Sequence, residues 1–310
     1  MHRGNVNCLH LDINCIFYSA LYTNTCLPGG YKIGRKLGAG AFGEVFRGYK
    51  NGNTYAIKKI PIDNREEQTK VEKEVASLKR LDHQNVVEFI DSFVKYESVY
   101  IVLEFCDGGD LNSYILQNKP VGYPRKLNFA KQLARGVSYL HDNSIIHRDI
   151  KPDNIMIHGS DRVIKIADFG LSRVWEAFNY ESPYYNFQYS PKGPPYYTAP
   201  EVFDDNVTMK SDIFSMGCLI MAMFSETTID WIGGKELLAP YIGRSQKQIA
   251  HSSDREKLDY IREFIKIPCG NQVEFQNLIR DMVQENWRDR PNANSTSRRA
   301  RDIEIICVIL

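Results

Sequence analysis

Residues 145–154 read IIHRDIKPDN, so Asp149, Lys151 and Asn154 stand close together directly behind an apolar run. Asp168 follows in VIKIADFG. Asn154 and Asp168 flank one expected hairpin, and their oxygens suit a hard divalent cation. Asp149 precedes Asn154 by five positions. It can face the same cavity without sharing the metal, which leaves it free to accept a hydroxyl proton. Lys151 is placed to neutralise a moving phosphoryl charge. One loop thus offers a base, a metal ligand and a cation.

Two stretches upstream offer phosphate-binding chemistry. GAGAFGEV (38–45) carries Gly38, Gly40 and Gly43 ahead of Val45. Glycines let a backbone approach a ligand closely, and bare N–H groups can face phosphate oxygens. A strand rather than a helix is expected after these glycines, which argues against a dinucleotide fold. Lys58 in AIK then reads as a phosphate clamp. A cleft lysine needs an opposing carboxylate, and Glu74 stands beside the apolar stripe Val71, Val75, Leu78 and Leu81. Its helix is expected to turn it inward.

The elements that must position these groups change in type along the chain. Residues 31–60 alternate like strands, with turn signals at GAGAFG and NGN. A helix starting near Asp63–Asn64 follows, then strands at VVEFIDSFV and SVYIVLEF. After CDGGD the periodicity becomes helical: Phe129, Leu133, Val137 and Leu140 form one face over 126–142. SDIFSMGCLIMAMF (211–224) is apolar nearly all round and reads as a buried helix. Strands first and helices later predict an α+β, bilobal architecture, a small β-rich lobe and a larger α-helical one, hinged near Cys106–Gly109.

Composition sets outer bounds. The 310 residues are 43% hydrophobic and 25% charged, with a formal net charge of +1. That balance suits a globular protein and argues against bulk electrostatic capture by nucleic acid. The seven cysteines show no CxxC pair and no Cys/His spacing that suits zinc. They read as free thiols in a reducing compartment, cytoplasmic or nuclear. No run approaches the length of a membrane span.

In this order the motifs resemble those of the eukaryotic protein kinases, serine/threonine type: GAGAFGEV, AIK, Glu74, HRDIKPDN, DFG (168–170) and APE (199–201), with Asp212 and Arg290 at two further positions. The resemblance implies a small lobe at 31–106 and a large lobe at 107–306, leaving 1–30 as an unassigned extension. It implies ATP and Mg2+ as cofactors. Lys58 would contact the α- and β-phosphates and pair with Glu74; Asp149 would be the catalytic base; Lys151 would steady the γ-phosphate; Asn154 and Asp168 would hold magnesium. Gly38, Gly40, Gly43 and Val45 would cover ATP, and Ala56 and Met156 would sandwich the adenine. Leu103 would be the gatekeeper, Glu104 and Cys106 would offer backbone hydrogen bonds to the base, and His147 and Phe169 would pack in the regulatory spine. Glu201 and Arg290 would form a structural ion pair.

DIKPDN is the serine/threonine form of the catalytic loop. Two positions depart from the family pattern: Pro194 stands where a threonine usually links Asp149 and Lys151, and Trp287 replaces a proline. With every other catalytic position intact, an active kinase is favoured over the alternative, a pseudokinase scaffold that binds nucleotide or a partner without phosphotransfer.

KSDIFSMGCLIMAM and GGKELLAPYI resemble the PDZ–LIM-protein-interacting kinases, implying an actin-associated PDZ–LIM protein partner beside the protein substrate. The 168–201 segment carries Tyr180, Ser182, Tyr184, Tyr185, Ser190, Tyr196 and Tyr197, candidate acceptors for a regulatory phosphate that Arg148 could pair with. The final CVIL (307–310) fits a prenyl acceptor at Cys307. Membrane association is expected only if that cysteine is modified.

Overall fold

The computed structural model describes residues 26–40, 43–168, 173–174, 195–231, 234–268 and 271–303. The side chain of Glu74, the residues Phe169 and Pro194, the acceptors at 180–190 and Cys307 therefore lie outside the described residues.

The small lobe is an antiparallel sheet in the order β1-β2-β3-β5-β4. Its strands are β1 (Lys32–Gly40), β2 (Gly43–Lys50), β3 (Asn53–Pro61), β4 (Phe89–Val94) and β5 (Ser98–Glu104), with helix α1 (Arg65–Leu78) between β3 and β4. Side chains alternate across a strand, and β3 uses both faces. Ile57 is fully buried in a cluster with Leu27, Tyr31, Ile33, Tyr100 and Val102. On the opposite face, Lys58 sits across from Val45 of β2 and Ile101 of β5. Ile101 packs with Ile62, Val75 and Val99. That second cluster fastens α1 to the sheet through the stripe read from the sequence. Leu27, within the stretch set apart as an extension, is only 4% exposed and belongs to the small-lobe core.

The large lobe is chiefly helical: α2 (Leu111–Asn118), α3 (Tyr123–Asp142), α4 (Met209–Ser225), α5 (Asp254–Phe264), α6 (Gln272–Met282) and α7 (Ala293–Asp302). Between α3 and α4 lie β6 (Ile145–Ile146), β7 (Ile155–His158), β8 (Val163–Ile166) and β9 (Arg173–Val174). As expected from its composition, α4 is buried on all sides from Ser211 to Phe224. It begins at Thr208 with a capping box shared with Ser211, which satisfies helix-end N–H groups. One continuous core runs from α3 through α4 to α6 and includes Leu133, Val137, Phe214, Met221, Phe275 and Ile279.

Two short hairpins, absent from the sequence reading, follow α4: β10 (Thr228–Trp231) with β11 (Lys235–Leu238), and β12 (Tyr241–Ile242) with β13 (Lys247–Gln248). No helix among the described residues is long and apolar enough to cross a membrane.

Candidate active site

The glycine-rich stretch forms the β1–β2 turn, with Gly38 opposite Val45 and Gly40 opposite Gly43. Gly43 has φ +124°, and a Cβ there would lie 2.0 Å from the carbonyl oxygen of Lys59. Only glycine admits that approach. Lys36 and Glu44 pair across the same hairpin at 2.6 Å.

Beneath this turn, Ala56 and Lys58 share one face of β3 by strand alternation. Ala56 pairs with Leu103 of β5. Lys58 Nζ donates to Asp168 Oδ1 at 2.7 Å across the cleft, with the lysine side chain only 12% exposed. Asp168 adopts a left-handed backbone, φ +62°. Glu74 lies on α1 next to Val75, which faces the sheet.

The loop between β6 and β7 holds the remaining groups. Lys151 Nζ donates to Asp149 Oδ2 at 2.7 Å. Asn154 Nδ2 donates to that same oxygen at 2.8 Å and to the Asp149 carbonyl at 2.7 Å. Asp149 Oδ2 is thereby occupied, and Oδ1 is the carboxylate oxygen without a side-chain hydrogen bond among the described residues. The same two bonds turn the Asn154 amide so that its oxygen points away from Asp149. Asn154 also accepts the Ala167 N–H at 2.9 Å through its main-chain carbonyl, coupling the loop to the segment that runs from β8 to Asp168.

What aims Asp149 lies deeper. Asp212, only 1% exposed on α4, accepts the main-chain N–H groups of His147 and Arg148, both at 2.8 Å, and contacts His141 Nε2 at 2.9 Å. Burial pushes its carboxyl up, but His141 and His147 more than offset this and hold it below the usual carboxylate value. Arg148 is left-handed, φ +72°, so the two Asp212 bonds hold a strained turn immediately before Asp149. His147 is fully buried; its Nε2 lies 2.9 Å from the Ala167 carbonyl and its Nδ1 accepts the Asp149 N–H at 3.3 Å. These partners assign the proton to Nε2.

At the hinge, Glu104 gives its N–H to the Glu88 carbonyl, so only its own carbonyl remains for a base. Met156 pairs with Lys165 on β8 and bridges to Asp110 at the start of α2. Cys106 is 7% exposed.

The Glu201–Arg290 pair is present as expected: two parallel bonds of 2.8 Å, with Arg290 also reaching the carbonyls of Gln284, Lys210 and Glu285. Tyr196 and Tyr197, counted among the candidate phosphate acceptors, are placed as structural anchors. Tyr196 is 8% exposed, and the Tyr197 hydroxyl donates to Leu238 O at 2.7 Å. The β11 contacts with Tyr197 and Asn112 were not legible in the sequence. Nor was the Lys235–Asp153 ion pair that ties this hairpin to the catalytic loop. The only signal for them was the apolar pair Leu237–Leu238.

The family model for the protein kinase domain matches residues 31–299. The chain is 33% identical over 228 residues to the serine/threonine-protein kinase ATG1c of Arabidopsis thaliana, covering 71% of this chain and 29% of that protein. It is 30% identical over 276 residues to the human serine/threonine-protein kinase Nek5, covering 87% and 36%. The chain thus spans about a third of the length of these curated relatives. Among solved structures, Rad53 in complex with AMP-PNP superposes with a TM-score of 0.64 at 26% identity, over 86% of this chain and 63% of that one.

Proposed function

The chain belongs to the protein kinase domain family, and from that membership we propose that it transfers the γ-phosphoryl of ATP to serine and threonine hydroxyls of protein substrates. The observation that carries the reading is the convergence on Asp149. One carboxylate oxygen is held by Lys151 and Asn154, and the other carries no side-chain hydrogen bond among the described residues. Asp149 Oδ1 takes the proton of the substrate hydroxyl as that oxygen attacks phosphorus, and Lys151 moves from Asp149 toward the charge on the transferring group. Lys58 steadies the phosphates that stay behind, and the β1–β2 turn covers them.

Asn154 and Asp168 fit a magnesium ion. Both offer hard oxygen donors, and the amide of Asn154 is oriented by its two bonds to Asp149. When bound, the ion neutralises phosphate charge.

The partner and setting belong to the same proposal. The likeness of KSDIFSMGCLIMAM and GGKELLAPYI to the PDZ–LIM-protein-interacting kinases supports an actin-associated PDZ–LIM partner. Free thiols at Cys26, Cys106 and Cys218 support a reducing cytoplasmic or nuclear compartment.

The test is transfer of labelled phosphate from ATP to a generic basic protein and to serine-, threonine- and tyrosine-containing peptides. Magnesium-dependent labelling of serine or threonine is expected, and Asp149→Asn should abolish it. Nucleotide binding without transfer, unchanged by Asp149→Asn, would refute the assignment.

A further inference from the structure

Behind the hinge, three residues of mixed chemistry meet that the catalytic scheme does not use as side chains. Glu104 ends β5, Cys106 lies two residues on, and His158 closes β7. One ligand atom from each lies within 4.8 Å of the others. The sequence could not show this, because His158 is far from both in the chain and arrives only when the hinge is stitched to β7. Gly108 donates to Ile157 O at 2.9 Å, Ile157 donates to Gly109 O at 2.8 Å, and Gly159 donates to Asp107 Oδ1 at 2.7 Å. Gly108 leaves no room for a side chain, since a Cβ would stand 2.7 Å from Ile157 Cγ2.

We infer that Glu104, Cys106 and His158 form a binding site for a borderline-soft divalent cation of the zinc class, pinning the hinge to β7 of the large lobe. Carboxylate oxygen, sulfur and imidazole nitrogen are the zinc donors, and three protein ligands leave a fourth position for water. A second observation points the same way. His158 Nδ1 is shut off from solvent and has no hydrogen-bond partner among the described residues, an arrangement that calls for a ligand because buried polar atoms are normally paired.

Donors around zinc stand roughly 3.5 Å apart. The three groups, within 4.8 Å of one another, must therefore close on the ion by up to about an ångström. The opposing group is Lys165, whose ammonium lies 2.7 Å from Glu104 Oε1. The Glu88 N–H takes the same oxygen at 2.6 Å, so Oε2 is the donor that turns to the metal. Binding breaks the S–H bond, forms the sulfur–metal bond and releases the proton to solvent, with no change in oxidation state.

The test uses the full chain, stripped with a chelator, kept reduced with a phosphine and titrated with Co2+. A thiolate-to-cobalt charge-transfer band should appear and be bleached by Zn2+. Cys106→Ser should remove the band, His158→Gln should weaken binding about tenfold or more, and Cys26→Ser should leave it unchanged. Lys165→Met should tighten binding, because the competing ammonium is gone; unchanged affinity there would remove Glu104 from the site and overturn the three-residue assignment. Absence of the band, or its persistence at equal affinity in Cys106→Ser, overturns the inference. Should Cys106→Ser fail to fold, His158→Gln decides, and equal affinity in that variant overturns it.

Discussion

Asp212 is only 1% exposed, yet the geometry makes it the residue that aims the base. Asp212→Asn preserves shape and changes one oxygen to an NH2 group. The remaining oxygen keeps the more heavily used position, facing His147 N–H and His141. The NH2 group then faces the Arg148 N–H, donor against donor. A buried N–H without a partner costs about 1–3 kcal/mol. The left-handed conformation of Arg148, φ +72°, itself costs of the order of 1–3 kcal/mol. The two terms are comparable, so the turn loses most of its reason to persist and Asp149 drifts from its place. A loss of ~1–3 kcal/mol in the transition state corresponds to roughly 5–150-fold in rate. The assay is initial-rate phosphate transfer with ATP and peptide varied separately. The expected signature is a fall in kcat with KM for ATP little changed, because Lys58 and the glycine turn are untouched. Circular dichroism should show a folded protein. A folded variant whose kcat lies within about twofold of the parent would refute the reasoning, as would a loss confined to KM for ATP.

Gly43→Ala brings a methyl group to 2.0 Å from Lys59 O in a backbone of positive φ. The β1–β2 turn must open, and weaker nucleotide binding should follow in calorimetry with little change at the catalytic loop. Arg290→Met leaves Glu201 buried at 7% exposure without its cation, which should cost about 3–5 kcal/mol in urea unfolding. The double variant Arg290→Met/Glu201→Met should recover much of that loss. The Glu256 carboxyl is held down at about 2, first by Lys247, then by the N–H and hydroxyl of Ser253. Its pKa is lowered by folding, so its stabilisation is fully present above the ordinary value of 4.5 and is lost as pH falls toward 2. Acid unfolding of Glu256→Gln, compared with the parent across that window, should show a shallower pH dependence.

Much of the site could be read from the linear order of residues because its chemistry is local. Asp149, Lys151 and Asn154 lie within six positions, so a single turn is enough to bring them into contact. The glycine turn, the alternation placing Ala56 and Lys58 on one face, and the apolar stripe of α1 are likewise short-range patterns with periods of two or 3.6 residues. The all-round apolar character of 211–224 marked a central helix for the same reason.

What depended on the fold are contacts between segments far apart in the chain. Asp212 reaches the turn at Arg148 from 64 residues away, and Lys58 meets Asp168 across 110. Their partners are chosen by how distant elements pack, which no local period encodes. The hairpin of 228–238 carries only short, weakly alternating runs, so its pairing is set by docking on Tyr197 and Asn112 rather than by propensity. The tyrosines at 196 and 197 show the same limit: their types suit a modifiable loop, but burial made them anchors. Glu104, Cys106 and His158 become neighbours only because backbone bonds join the hinge to β7, a pairing decided by the large-lobe core and not by the spacing of the three residues.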